Sequence, residues 1–356
     1  MSLPIELDLS GDVVQLTGAL VDVPSESRGE GPIADLVESA LRRLDHLDVI
    51  RDGDCVIART HLGRPSRVVL AGHLDTVPSA GNLPHRIVGE QMFGLGACDM
   101  KGGVAVALKA AHAVTNPRQD VTFVFYDCEE IEAAANGLGR IAGHSPDLLT
   151  ADFAVLLEPT CALVEAGCQG TLRVGVRIQG RRAHSARPWM GSNAIHAAGE
   201  VLGRLAHYEP RVVLVDGLEF REGLSAVGIT GGVAGNVIPD ECLVTVNYRY
   251  APVMTSDEAI SHVRDVFTGF SVEVLDHAPG ALPGLDQAAA REFLAAVGGS
   301  PRPKFGWTDV ARFAALGIPA VNFGPGDPSV AHSPDESVAL DQLRYCQDRI
   351  VSWLSG

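Results

Sequence analysis

Positive charge is scarce in this sequence: 28 Lys and Arg stand against 44 Asp and Glu, for a formal charge of -16. Nothing gathers the cations needed to neutralise phosphates, and the Arg181-Arg182 pair is too short to be a polybasic patch. Nucleic acid is therefore not an expected partner. No run approaches the roughly 18 apolar residues of a membrane span, so no membrane partner is expected either. The opening Met-Ser-Leu-Pro-Ile-Glu-Leu-Asp lacks both a basic region and an apolar stretch, which predicts no secretory signal and a cytoplasmic protein. The seven cysteines (55, 98, 128, 161, 168, 242 and 346) include no C-x-x-C pair. That counts against a disulfide framework or a thiolate zinc site and points to buried free thiols. Also missing are internal repeats, low-complexity tracts and the G-x-S-x-G elbow of serine hydrolases. Neither a G-x-x-x-x-G-K-[ST] loop nor a proper G-x-G-x-x-G after a strand is present, which excludes the common nucleotide sites.

What remains is a chain of 356 residues with 46% hydrophobic content, long enough for two well-packed domains. After a helix expected over 33–44, short apolar runs alternate with helical patterns. Residues 67–72, 120–126 and 153–157 read as buried strands, and 103–114 as an Ala-rich helix. Near-continuous apolar strands alternating with helices imply a mostly parallel sheet covered on both faces. The style changes near Gly170. Strands over 171–179, 226–233, 241–250 and 271–275 alternate in polarity, with helices over 193–206 and from Ser256. Turns are expected at Gly235-Asn236 and Pro239-Asp240. The order βαββαβ is that of a small antiparallel sheet with helices on one side. The earlier style returns with a strand over 317–324 and a helix over 340–354. The expected class is thus α/β. Residues 1–169 and 279–356 form a discontinuous, mostly parallel-sheet catalytic domain, and 170–278 form an inserted α+β domain.

Acids and histidines fall at the ends of the buried strands. His73 and Asp75 follow the first, Glu129 and Glu130 the second, Glu158 the third, and His332 the last, across a Gly-Pro-Gly loop. Asp99 stands just before the Ala-rich helix. In open parallel sheets the ligand crevice lies outside the carboxyl ends of the strands. Each residue alone has a plain explanation: a strand cap, a solvated Glu-Glu loop, a helix N-cap. Together, with no cations beside them, the carboxylates would repel one another and raise each other's pKa unless a metal sat between them. Histidine nitrogens with carboxylate oxygens suit a hard-to-borderline metal ion.

Gly72-His-Leu-Asp-Thr-Val-Pro78, Cys98-Asp-Met-Lys-Gly-Gly103, Glu129-Glu130, Leu157-Glu-Pro159 and His332 resemble the two-zinc metallopeptidase family of aminoacylases, acetylornithine deacetylases and succinyl-diaminopimelate desuccinylases. The resemblance spans essentially the whole chain. Phe125-Tyr-Asp-Cys-Glu-Glu-Ile131 and Gly180-Arg-Arg-Ala-His-Ser185 are most similar to the actinobacterial desuccinylase branch. The resemblance implies a zinc-hydrolase catalytic domain, with the insert acting as lid and dimerisation domain. It implies two Zn2+, with Co2+ as an alternative in one site. Asp99 would bridge the metals, His73 and Glu158 completing one and His332 and Glu130 the other. Asp75 would fix the His73 tautomer, and Glu129 would act as general base and then proton donor. His184 would reach across a homodimer to the reacting carbonyl. Asn236, Arg249, Thr308 and Arg312 would bind substrate carboxylates, a task that suits the planar arginine fork. The implied partner is a small N-acyl amino acid, and the implied reaction releases succinate from N-succinyl-LL-2,6-diaminopimelate.

Three segments depart from the desuccinylase pattern. Cys168-Gln169-Gly-Thr stands where Arg-Arg-Gly-Ser is common, so Gln169 occupies the place of an expected substrate arginine. Thr308-Asp-Val-Ala-Arg312 replaces a Gly-rich version, and His332-Ser-Pro-Asp-Glu replaces His-Lys-Val-Asn-Glu. The metal residues are untouched by these changes. An acetylated substrate or a dipeptide therefore stays open, as does a metal-free binding relative, which loss of a ligand would mark.

Overall fold

The computed structural model describes residues 6–356; the start of the opening segment, where no signal is expected, lies outside them. The chain divides into two compact units. The first comprises residues up to Ala166, Gly284–Arg302 and Arg312–Gly356, and the second Gly167–Pro283 with Pro303–Ala311. Pro303–Ala311 thus groups with the second unit, whereas the sequence pattern placed the whole of 279–356 in the first.

The first unit is built on an eight-stranded sheet. Its four central strands, Asp120–Tyr126, Arg67–His73, Phe153–Leu156 and Ala320–Asn322, run parallel to one another. Every residue of Asp120–Tyr126 and Phe153–Leu156 is buried, which is why these runs are apolar without alternation. The hairpin Asp48–Asp52 with Cys55–Arg59 adds two antiparallel strands at one edge. The last parallel strand is shorter than its apolar run because Pro319 has no N–H to give the ladder; its carbonyl still accepts from Ala154 N at 3.0 Å.

Helix Gly102–Ala113 is buried over nearly its whole circumference, and its Gly103 abuts the strand end so closely that a Cβ there would lie 2.0 Å from the Leu157 carbonyl oxygen. The closing helix Leu340–Ser355 is held by an aromatic cluster. Phe293 stacks on Trp353 with centroids 4.8 Å apart and on Phe153 and Phe323 at 5.6 Å each. Burying each such ring contributes about 1.5–3 kcal/mol. All seven cysteines are free. Among the described residues no helix is long and apolar enough to cross a membrane.

The second unit has a four-stranded antiparallel sheet in the order Gly223–Gly231, Glu241–Tyr250, Gly170–Gln179, Ser271–Ala278. Alternation sets its two faces: Cys242, Val244, Val246, Tyr248 and Tyr250 all turn inward from one strand. They pack with Ala194, Ala198 and Val201 of helix Ala194–Ala206 and with Ala259 and Val263 of helix Ser256–Val266. The βαββαβ order is present. An additional hairpin, Val212–Val215 with Leu218–Arg221, precedes the second strand.

Candidate metal centre

Parallel pairing places His73 opposite Tyr126, so the loops that follow these two residues are neighbours. Asp75 ties the loops together. Its Oδ1 accepts the Glu129 N–H and its Oδ2 the Glu130 N–H, each at 3.0 Å. The Ser27 hydroxyl donates to Oδ2 at 2.7 Å. Burial alone would raise the Asp75 pKa, but His73 and the two N–H groups favour the anion and bring it to about 2. Two further contacts fix the Glu-Glu loop. Arg140 Nη2 lies 3.0 and 3.2 Å from the oxygens of Asp127, and buried Glu30 accepts the Cys128 N–H at 3.0 Å. Cys128 is left-handed, with φ 55°, as the turn into Glu129 begins.

His73 is buried, its Nδ1 3.0 Å from the Asp75 carbonyl oxygen. An Nδ1–H donating there leaves the Nε2 lone pair facing Asp99 Oδ1, 3.1 Å away. The other oxygen of Asp99 lies 3.3 Å from His332 Nε2, which is also 2.9 Å from Glu130 Oε1. Asp99 therefore offers one oxygen to each histidine. His73, Asp99 and Glu130 bring donor atoms within 4.8 Å of one another. Burial disfavours charge on His73, but Asp75 and Asp99 outweigh it and raise its pKa well above the ordinary value. Hydrogen bonds to Asp99 and Glu130 push His332 up to about 10. Burial works against the Asp99 anion, yet the two imidazoles hold its pKa well below the usual carboxylate range. Two imidazoles converge here with several carboxylates, which outnumber the buried ammonium of Lys101 that faces Asp75 and Glu336, and the set fits a divalent cation of borderline hardness. Glu158 is buried after strand Phe153–Leu156 but is not part of the three-residue donor group.

The remaining expected site residues divide between the units. Arg312 belongs to the first, its Nη2 3.5 Å from the Ala133 carbonyl oxygen. A Cβ on Gly139 would meet its guanidinium at 2.5 Å. His184, Asn236, Arg249 and Thr308 belong to the second. There the short pairing Ala183–His184 with Val237–Ile238 sets His184 beside Asn236, whose carbonyl accepts the Ser185 N–H at 2.9 Å. The Ala186 N–H points at His184 Nδ1 from 3.1 Å, which puts the proton of a neutral ring on the exposed Nε2. Arg249 is half-buried in the sheet, and desolvation lowers its pKa. Thr308 is buried, with no partner for its hydroxyl among the described residues. Gln169 is buried too, and its amide donates to the Arg221 carbonyl at 2.7 Å.

Three residues of the centre went unmarked in the sequence: Ser27 and Glu30, described above, and Glu336, whose carboxylate accepts the N–H groups of Gly96, Cys98 and Asp99 at 3.0 Å each.

A family model described as peptidase family M20/M25/M40 matches residues 69–355. The chain is 57% identical over 353 residues to a Mycobacterium tuberculosis protein provisionally named succinyl-diaminopimelate desuccinylase DapE, covering 98% of this chain and 100% of the relative. It is 48% identical over 360 residues to a succinyl-diaminopimelate desuccinylase of Corynebacterium glutamicum, covering 98% of each. Among solved structures it is similar to a dinuclear metal-binding peptidase from Bacillus subtilis, with a TM-score of 0.71 at 18% identity over 96% of each chain.

Proposed function

The chain belongs to peptidase family M20/M25/M40, and from that premise we propose that it hydrolyses N-succinyl-LL-2,6-diaminopimelate to succinate and LL-2,6-diaminopimelate in the cytoplasm. It is a hydrolase of the desuccinylase branch, and its family includes dinuclear metal-binding peptidases. The observation that carries the reading is full-length identity of 57% and 48% to relatives so named, in a chain that keeps the whole donor set. Retention of every ligand and of the base argues against a binding relative without catalysis.

His73, Asp99 and Glu158 would hold one metal, and His332, Asp99 and Glu130 the other. When bound, two zinc ions, or zinc with cobalt in one position, polarise the amide carbonyl and acidify the attacking water. The carboxylate of Glu129 takes a proton from that water as a C–O bond forms at the carbonyl carbon. It then gives the proton to the amide nitrogen as the C–N bond breaks. Asp75 keeps the Glu129-Glu130 peptide in place through two N–H bonds while its carbonyl orients the His73 ring. In a homodimer formed through the second unit, the partner's His184 would donate its Nε2–H to the developing oxyanion. Arg249, Arg312, Asn236 and Thr308 would hold the substrate carboxylates.

A second reading, removal of another N-acyl group or cleavage of a dipeptide, draws on Gln169. Its amide is committed to the Arg221 carbonyl, where the branch commonly has a cation for the substrate. Zinc-loaded enzyme assayed side by side on N-succinyl-LL-2,6-diaminopimelate, N-acetylornithine and dipeptides separates the two. The first reading expects kcat/KM for the succinyl substrate to lead by about 100-fold or more, up to the ~10⁴–10⁵-fold reached when a site's polar groups are left unpaired by the wrong substrate. A lead for N-acetylornithine or a dipeptide replaces it with the second.

A further inference from the structure

Glu336 is 1% exposed, far from Asp99 in sequence, and no metal-ligating or catalytic role falls to it. Its side chain nevertheless makes three hydrogen bonds to one short stretch of backbone. Oε1 accepts from both Cys98 N and Asp99 N, and Oε2 from Gly96 N, all at 3.0 Å. Its carbonyl accepts a fourth, from Gly94 N at 3.1 Å. The stretch has irregular geometry. Gly96 is left-handed at φ 77°, and Asp99 and Met100 leave helical geometry before helix Gly102–Ala113 starts. Such a turn aims successive N–H groups into a concavity that suits an anion. Here the chain supplies that anion itself.

On its other side Glu336 donates its own N–H to the Ser333 carbonyl at 3.1 Å, closing the turn that begins beside His332. Four bonds to the Asp99 stretch and one to the His332 turn make Glu336 the connection between the two segments. Their side chains meet at 3.3 Å, His332 Nε2 to Asp99 Oδ2. Burial, with the Asp99 carboxylate nearby, raises the Glu336 pKa, and the three N–H bonds only offset part of that cost. A neutral loop could be packed with apolar residues at less cost. The anion makes sense if what matters is the exact direction in which Asp99 leaves the backbone.

We propose that Glu336 is a positioning residue for the metal centre: by clamping the Gly96, Cys98 and Asp99 N–H groups it fixes Asp99 against His332 in the arrangement that lets Asp99 bridge two ions. The proposal rests on the two-metal reading above. Its effect passes entirely through Asp99 and His332, so it predicts altered metal affinity and turnover with little change in substrate affinity. Outer partners of metal ligands typically contribute ~10–100-fold in affinity.

The test compares the full-length wild type with Glu336→Gln, which keeps the shape but turns an NH2 toward one of the three N–H groups. Zinc stoichiometry and affinity are read by competition with a chromogenic chelator, kcat and KM at saturating zinc, and thermal unfolding without metal. The expected result is at least ~10-fold weaker zinc binding at one position and a similar fall in kcat, with KM within about twofold. Glu336→Asp, which keeps the charge on a shorter arm, should recover part of the zinc affinity; if Glu336→Gln fails to fold, Glu336→Asp takes the same measurements, with smaller losses of the same kind expected. A folded variant that binds zinc and turns over as the wild type does, whatever its melting point, overturns the proposal, as does a rise in KM with kcat intact. A wild type that binds no zinc removes the two-metal reading and this proposal with it, whereas one that binds two zinc ions while cleaving another N-acyl substrate leaves the proposal standing and overturns only the succinyl assignment.

Discussion

Asp99 Oδ1 lies 3.1 Å from Nε2 of His73, so the carboxylate reaches the one imidazole nitrogen that its ring's other hydrogen bond leaves open for a ligand. The opposite oxygen lies 3.3 Å from His332 Nε2, which also meets Glu130 Oε1 at 2.9 Å. On the proposed assignment Asp99→Ala would remove a donor from both metal positions, while His73→Ala and His332→Ala would each remove one from a single position. Metal analysis of the three purified variants should find the least metal in Asp99→Ala. Equal retention in all three would end the bridging role.

Glu129 and Glu130 share a backbone anchor in Asp75 yet are assigned different work. Glu129→Gln keeps the size of the side chain but cannot take a proton. It should lose at least ~100-fold in turnover, within the span general-base contributions cover, with both metals retained. Glu130→Gln, next to His332, should instead weaken one metal. Metal content and kcat measured on the same preparations decide the matter, and loss of metal from Glu129→Gln would exchange the two roles.

Substrate charge gives a third comparison. N-succinyl-LL-2,6-diaminopimelate presents carboxylates to an otherwise acidic protein, and a charge-assisted bond to one of them contributes about 1.5–3 kcal/mol, or roughly tenfold and more in affinity. Arg249→Ala and Arg312→Ala should raise KM for this substrate far more than for an uncharged N-acyl substrate. Parallel increases for both substrates would assign the arginines to structure.

His184 provides a test in trans. Its Nε2 is the exposed, proton-bearing nitrogen. On the proposed homodimeric, two-metal reading, His184→Ala should leave metal binding and dimerisation intact and lose about 2.7–4 kcal/mol of transition-state stabilisation, the measured worth of a single oxyanion donor elsewhere. Mixed with Glu129→Gln under conditions of subunit exchange, it should regain activity, because one site of the heterodimer then has both an intact base and an intact partner histidine. Proven exchange without recovery would place His184 outside the partner's reaction.

Away from the centre, Asp120 accepts the N–H groups of Leu62 and Arg64 and the Thr60 hydroxyl at 2.8 to 2.9 Å. Desolvation opposes the charge, but these donors together with Arg67 hold its pKa below the ordinary 3.8. A carboxyl whose folded pKa is depressed contributes stability that is full above its unfolded value and is lost as pH falls through the folded one. Asp120→Asn should thus cost about 2 kcal/mol at pH 7, the scale of hydrogen bonds to a charged group, with the difference shrinking below pH ~4. Denaturant titrations of both proteins across that range provide the check; a constant gap would mean that the charge is irrelevant.

Much of this architecture could be read in advance, and for specific reasons. Strands Asp120–Tyr126 and Glu241–Tyr250 have the expected boundaries because one is a mostly apolar run and the other alternates, Leu243 apart, between apolar and polar residues. The hairpin at Val212–Val215 and Leu218–Arg221 has no counterpart among the strands expected from sequence, although Asp216-Gly217, at φ 49° and 81°, is a common two-residue turn sequence. Its strands are only four residues long and leave Val212 and Leu214 exposed, so the buried Val215, Leu218 and Phe220 make too short a pattern to mark them. In the centre, His73, Asp99, Glu130 and His332 were conspicuous as side chains at strand ends. Ser27, Glu30 and Glu336 were not. Glu30 and Glu336 bind backbone N–H groups of distant loops, and an N–H is the same in nearly every residue, so no letter in the sequence marks the partner. Ser27 binds a named carboxylate, but only folding brings its loop to Asp75.

Gly103 leaves one last consequence. Asp99 stands at the entry to helix Gly102–Ala113, and Glu158 directly follows Leu157, whose carbonyl a Cβ at position 103 would strike at 2.0 Å. In the proposed assignment these two acids serve the same ion. On that assignment, bare backbone resting on backbone would gauge the distance between the two acids, and alanine at 103 would act as a shim that spreads them.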